Sequence, residues 1–268
     1  MATSLISGLI ADGYDAKRLT VSDPDSEKLA QLAARFGIRS VVDNHQAVKD
    51  ADVVVLAVKP QILEAVACDL ATTIQKQKPL VISIAAGIPE SSLRSWLGDK
   101  IPLVRCMPNT PAMIQTGATG LHAGKGVSDE QKNLAESILR SVGITCWVAV
   151  ESLMDAVTAV SGSGPAYFFL VMEAMEDAAR SMGLDEETAR LLTLQTALGA
   201  ARMAMESNDS PAILRGKVTS PGGTTEKALE MFENGNLREL FRDALTAARN
   251  RSEELSKMLG NQKKLNNS

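Results

Sequence analysis

Two runs, VVVLAV at 53–58 and LVISIA at 80–85, constrain the fold more than any other feature of this chain. A strand with one wet face alternates apolar and polar residues. These runs do not alternate, so both of their faces are covered, as in a parallel sheet wrapped by helices. Further β-rich runs extend the series: LTVS (19–22), PLVRCM (102–107), GATGLHA (117–123) and ITCWVAV (144–150). Between them SEKLAQLAARFG, QILEAVACDLATTI and SDEQKNLAESILRSVG carry helical periodicity. Up to about residue 150 the alternation of strand and helix predicts a doubly wound α/β domain. The opening, MATSLISGLIADG, is out of step with it. Leu5, Ile6, Leu9 and Ile10 share helical spacing and Asp12-Gly13 supplies a stop, so a helix stands where a strand is due.

After about residue 150 the β-rich runs end. SGSGPAYFFLVMEAMEDAARSMG has Pro165 near a helix start and Gly183 at its end. DEETARLLTLQTALGAARMAMES opens on the capping residue Asp185. NLRELFRDALTAARNRSEELSKML spaces Leu237, Leu240, Phe241, Ala244, Leu245, Ala248 and Leu255 along one face. The predicted division is therefore 1–150 and 151–268. The second half offers more apolar surface than one small bundle can bury, which predicts a homodimer. The polar tail NQKKLNNS is expected to be disordered.

Composition narrows the function classes. A net charge of −4 and the lack of a Lys/Arg-rich tract exclude a nucleic-acid footprint. No apolar run is long enough to span a membrane, and the opening helix lacks a signal peptide's basic start. Three cysteines, Cys68, Cys106 and Cys146, have no metal-ligand spacing and read as reduced core residues of a cytoplasmic protein. Two histidines, His45 and His122, are too scattered for a zinc site or a His-based triad.

Two stretches carry candidate chemistry. A dinucleotide-binding unit places an acidic residue about 20 positions past its glycine-rich turn, to hold the ribose hydroxyls. Asp23, at the end of LTVS, sits at that distance if the turn lies just before Met1; the alternative is a plain strand-to-helix turn at Asp23-Pro24-Asp25. The second stretch is LRGKVTSPGGTTEKALEMF (214–232). Its two glycines and two threonines before a helical run gather free backbone N–H groups at a helix start, which suits a small carboxylate. The alternative is that Thr224 and Thr225 only cap the helix.

VVVLAVKPQ, VISIAAGI, VRCMPNTPA, DAVTAVSGSGPAYFF and above all VTSPGGTTEKAL resemble, in order and spacing, the pyrroline-5-carboxylate reductase family. The resemblance spans nearly the whole chain. It implies a Rossmann-like domain followed by an all-helical substrate-binding and dimerisation domain, and the last step of proline synthesis. In the family a strand and a Gly-x-Gly turn precede the segment matching MATSLISGL, with Met1 closing the turn. About a dozen such residues are expected to be missing here, enough for one strand and its turn.

On the cofactor side the resemblance places Met1 near the pyrophosphate and Asp23 and Asn44 near the ribose. Ala57, Val58, Lys59, Pro60, Ala85 and Ala86 fall in strand-end turns, and Lys217 approaches the nicotinamide. On the substrate side it points to backbone N–H groups around Ser220, Gly223 and Thr224, to the Thr225 hydroxyl as the catalytic group, and to Glu151. Met107-Pro108-Asn109-Thr110-Pro111 is a rigid turn that shapes the pocket. The cofactor is NADPH or NADH; the partners are pyrroline-5-carboxylate and a second copy of the chain, as a homodimer or an oligomer of dimers. The carboxylate of Asp23 repels a 2′-phosphate, and no arginine lies beside it in VSDPDSEKL. NADH is therefore expected to serve better than is usual in the family, and Asp23→Ser to shift preference toward NADPH, read as the ratio of the two rates. A β-hydroxyacid dehydrogenase shares the layout but needs a lysine where Gly164-Pro165-Ala166-Tyr167-Phe168-Phe169 has none. The remaining alternative is a catalytically impaired homologue acting only as a helical dimer.

Overall fold

The computed structural model describes residues 1–260, and the tail at 261–268 lies outside the described residues. Two compact units are present, Met1–Ser163 with the chain from Ala247, and Gly164–Thr246. The first unit thus extends past the expected boundary at 150 and takes back the end of the last helix.

In the first unit, helix α1 (Ala2–Ala11) leads to strand β1 (Thr20–Ser22), α2 (Ser26–Phe36), β2 (Arg39–Val41) and α3 (Asn44–Val48). There follow β3 (Val53–Leu56), α4 (Pro60–Gln77), β4 (Leu80–Ser83), α5 (Glu90–Leu97), β5 (Leu103–Met107), β6 (Gly117–Ala123), α6 (Asp129–Arg140), β7 (Gly143–Trp147) and α7 (Leu153–Val157). Local chemistry sets many of these bounds. Asp25 caps α2 through the N–H groups of Glu27 and Lys28, and Gly37 ends it in the left-handed region. Ser128 and Gln131 form a reciprocal capping box on α6. Pro60 fills the first position of α4, where no N–H is needed.

The strands divide into two sheets. β1 pairs with β2 in parallel, and β3-β4-β5-β6-β7 form a five-stranded sheet. Pairs β3–β4, β4–β5 and β6–β7 are parallel, whereas β5–β6 is antiparallel, with Arg105 opposite His122. The link at 108–116 holds only a short 3₁₀ turn at Thr110–Ile114, too little for the helical crossover a parallel pair requires. In the doubly wound order 3-2-1-4-5-6, β2 and β1 take positions three and two, and β3 to β5 positions four to six. Among the described residues no strand pairing joins β1 to β3, so the two sheets stay separate.

Alternate residues of the central strands feed two cores. Val54, Leu56, Val81 and Leu103 pack with Leu63, Ala67, Leu70 and Ile74 of α4, Leu93 and Leu97 of α5, and Leu259. Leu80, Ile82, Val104 and Cys106 pack with Leu5 of α1 and Ala135 and Leu139 of α6. The five-stranded sheet is therefore covered on both faces, which is why VVVLAV and LVISIA do not alternate. Cys106 is buried as expected, and burial pushes its thiol pKa up, opposed weakly by the charge of Arg105. Cys68 and Cys146 are not core residues: both are exposed.

The second unit is helical: α8 (Gly164–Ser181), α9 (Glu186–Glu206), α10 (Pro211–Lys217), α11 (Thr224–Asn234) and the first part of α12 (Leu237–Gly260). Asp185 caps α9 by accepting the Thr188 N–H at 2.9 Å. Helices α8 and α9 pack along each other, yet few residues of this unit are buried, Gly164, Ala189 and Thr193 among them. Phe168, Phe169, Leu170, Leu191, Leu240 and Met205 are all exposed. An apolar display of this extent marks an interaction surface.

Candidate active site

In the first unit the predicted cofactor residues collect at the C-terminal ends of parallel strands, where such sheets take ligands. Asp23 follows β1, Ala57 to Pro60 follow β3, and Ala85 and Ala86 follow β4. Leu56 and Ser83 are register partners, so the turns after β3 and β4 leave the sheet side by side. Asn44 opens α3 and reaches the end of β1, accepting the Ser22 hydroxyl at 2.7 Å. Lys59 and Ala57 are exposed, while Ala85 is buried.

Met1 occupies the N-cap position of α1 and supplies no side-chain cap; the first turn carries no acidic residue. Its carbonyl accepts the Leu5 N–H at 3.1 Å. Among the described residues nothing accepts from the N–H groups of Ala2, Thr3 and Ser4. Uncapped N–H groups with the positive end of a helix dipole suit a phosphate. Asp23 is a carboxylate suited to a ribose diol. Partial burial alone would raise its pKa. The hydrogen bond from Lys28, the Asp25 N–H and the charge of Lys28 outweigh that and hold it below its ordinary value. The pairing of Asp23 with Lys28 is therefore present above the ordinary carboxylate range and is lost as pH falls through that lowered value. This donor set fits a dinucleotide.

Glu151 is engaged in a network that sequence spacing does not reveal. Its Oε1 accepts from Arg105 of β5 and from the backbone N–H of Glu90, at 2.5 Å, in the first turn of α5. Glu90 in turn accepts from Arg94 Nε at 2.6 Å and lies 3.6 Å from His122 Nε2. The effect is to pin the start of α5, and with it the loop bearing Ala85 and Ala86, to the sheet. Glu151→Gln is expected to lower stability by about 1–2 kcal/mol and raise KM for the substrate by no more than about threefold. A denaturation midpoint read beside the kinetics checks this; a large rise in KM at unchanged midpoint would put the carboxylate on substrate instead.

The turn at Met107–Pro111 is fixed by Asn109, whose side chain donates to the Ser161 carbonyl at 3.1 Å and accepts the Ala118 N–H at 2.9 Å. Ser161 lies in a π-helical stretch, Thr158–Gly162, a geometry common near functional sites. A hollow of about 320 Å³ lies elsewhere, beside Lys78, Pro102 and Gly126 at the opposite ends of the strands.

In the second unit, α11 starts from Gly223, which has no side chain to cap with. Gly222 takes the left-handed conformation, φ 72°, which turns the chain into the helix. The Gly223 N–H bonds the Ser220 carbonyl at 3.0 Å, and the Gly222 N–H bonds Glu226 Oε2 at 2.8 Å. Among the described residues the N–H groups of Thr224, Thr225 and Glu226 and the two threonine hydroxyls make no hydrogen bond. The threonines are therefore not the caps that one reading of the sequence made them. Lys217 pairs with Asp209 inside the same unit.

Comparisons with known proteins agree with this arrangement. The family model for NADP oxidoreductase, coenzyme F420-dependent, matches residues 1–87. The one for pyrroline-5-carboxylate reductase dimerisation matches residues 151–255. A pyrroline-5-carboxylate reductase of Pseudomonas aeruginosa is 54% identical over 260 residues, 97% of this chain and 95% of that protein. The chain belongs to the pyrroline-5-carboxylate reductase family. A solved structure of a family member from Coxiella burnetii has a TM-score of 0.92 at 51% identity, covering 95% of this chain and 94% of that one. That of a Plasmodium falciparum pyrroline carboxylate reductase with NADP bound has a TM-score of 0.83 at 27% identity, covering 95% and 94%.

Family membership makes the fold, the oxidoreductase class and a dinucleotide cofactor firm. The structure adds two residues that the sequence reading passed over. Lys28 stood inside the quoted VSDPDSEKL but five positions from Asp23, a spacing with no helical meaning until the turn is seen. Arg105 lies 46 positions from Glu151, and nothing local links them.

Proposed function

We propose that this protein reduces 1-pyrroline-5-carboxylate to L-proline with NADPH or NADH, as a homodimer or an oligomer of dimers, in the cytoplasm. The observation that carries this is the 54% identity with the Pseudomonas aeruginosa reductase across nearly the whole chain. The uncapped start of α11 supports the substrate half of the reading. Free cysteines accord with a reducing compartment, and the bare apolar helices of the second unit with self-association. Within this reading, residues 1–150 supply the cofactor half and 151–268 the substrate and dimer half.

The substrate is a cyclic imine with a carboxylate on its ring, and its protonated form is already a good electrophile. When bound, the reduced nicotinamide supplies a hydride to the imine carbon. The protein's own task is orientation and one proton. The free N–H groups of Thr224 and Thr225, with the turn from Ser220 to Gly223 that presents them, hold the carboxylate at the positive end of α11. The Thr225 hydroxyl bonds the ring nitrogen and keeps its proton in place as the imine becomes an amine. Met1 and its helix take the pyrophosphate. Asp23 and Asn44 take the ribose; Ala57, Val58, Lys59, Pro60, Ala85 and Ala86 line the strand-end turns; Lys217 serves the nicotinamide end. Glu151, already committed to Arg105 and the Glu90 N–H, braces the loop beside it.

Oxidation of NADPH and NADH by this chain, with and without pyrroline-5-carboxylate, tests the proposal. Substrate-dependent oxidation with proline as product is expected. The exposed apolar helices of the second unit favour a second reading, a helical dimer without turnover. A dimeric chain with no dinucleotide binding and no turnover would select it.

A further inference from the structure

Asp23 and Lys28 meet where β1 gives way to α2. Asp23 Oδ1 accepts the Asp25 N–H at 3.1 Å, and Oδ2 accepts from Lys28 Nζ. Asp25 is itself used up in capping α2, accepting the Glu27 and Lys28 N–H groups at 3.0 Å. The start of α2 therefore has little to offer an anion. Other cations of the neighbourhood are placed elsewhere. Arg39 opens β2 opposite Thr20, at the far end of β1. Arg18 leans toward Asp52, and His45 faces Asp69 and Thr73. Among the described residues, Lys28 supplies the positive charge at this strand end. Its side chain is 53% exposed against 22% for Asp23, so the carboxylate is the fixed member of the pair and the ammonium the mobile one. An ammonium carries three donors, and Asp23 uses one.

Resting on the dinucleotide reading above, we infer that Lys28 holds the 2′-phosphate of NADPH and bridges it to Asp23, so that one site takes both NADPH and NADH. With NADH, Asp23 keeps Lys28 and accepts the ribose hydroxyls on its remaining lone pairs. With NADPH, the two spare ammonium donors face the phosphate and offset the repulsion that a bare carboxylate would impose. Asp23 read alone disfavours the phosphate; the lysine five residues on reverses that sign.

Calorimetric titration of the full chain with 2′-phospho-ADP-ribose and with ADP-ribose tests this without turnover. Lys28→Met is expected to weaken the phosphorylated fragment about tenfold and to change the other by no more than about twofold. Lys28→Arg keeps most of the phosphate affinity, and added salt erodes the preference of the parent chain more than that of Lys28→Met. Equal weakening of both fragments, or no change in either, overturns the inference and leaves dinucleotide binding standing. If the parent chain binds neither fragment, the dinucleotide reading falls and this inference with it.

Discussion

Thr225→Ala is expected to cut turnover by more than about tenfold while NADPH binding changes by no more than about twofold. Thr225 is the second residue of α11, half-buried, and its hydroxyl has no partner among the described residues. A capping threonine would accept an N–H two or three residues on and lie at the N-cap itself. That place is held by Gly223, so removing the hydroxyl costs the helix no cap. Its loss should therefore hardly move the melting temperature. A hydrogen bond to a charged group contributes about 1.5–3 kcal/mol, which as transition-state stabilisation is about ten- to a hundredfold in rate. Thr225→Val, which keeps the β-branch and the volume, should fall as far as alanine. Thr225→Ser, which keeps the hydroxyl, should recover most of the rate. Full activity in the valine variant would remove the hydroxyl from the chemistry and leave only the backbone N–H groups.

The fold was legible where residues carry their own context. Runs such as VVVLAV need cover on both faces, and the two cores on either side of the sheet provide it. Asp185 and Gly183 announced the junction of α8 and α9 by local chemistry alone. Other features depend on partners distant in sequence. β2 is three residues, Arg-Ser-Val, and becomes a strand because β1 lies beside it. The direction of β6 is not written in its alternation; it follows from a link too short to cross over. Helix α12 shows one apolar stripe, and no periodicity tells that Leu259 packs in the first unit while Leu237 lies in the second. The site divides the same way. The bare start of α11 was readable from two glycines before two threonines. The Arg105–Glu151 and Asp23–Lys28 pairs needed the fold, because charge pairing is decided by where the turns bring the side chains.

Gly8→Ala sets two opposed effects against each other, and the sign of the result is the test. Gly8 sits mid-way in α1 and is buried. Helix propensity alone makes alanine there better by about 1 kcal/mol. A methyl group at this position, however, would run into the carbonyl oxygen of Ser141 and come within 2.9 Å of Val142 Cγ1. The first obstacle is backbone at the turn from α6 into β7, whose residues Leu139 and Val142 belong to the core that Leu5 also joins. Backbone held in that way does not yield cheaply, so α1 must lift away and weaken its own burial. Overpacking costs typically about 1–3 kcal/mol, and against a backbone oxygen held in place the upper end applies, leaving a net loss of about 1–2 kcal/mol after the propensity gain. For a chain of this size a net loss of that order lowers the melting temperature by about 2–8 °C. The same displacement moves the N–H groups of Ala2, Thr3 and Ser4 at the helix start, so affinity for NADPH should fall together with the melting temperature. A higher melting temperature would mean that α1 is free to shift, and a loss of stability with unchanged NADPH affinity would detach the α1 terminus from the pyrophosphate.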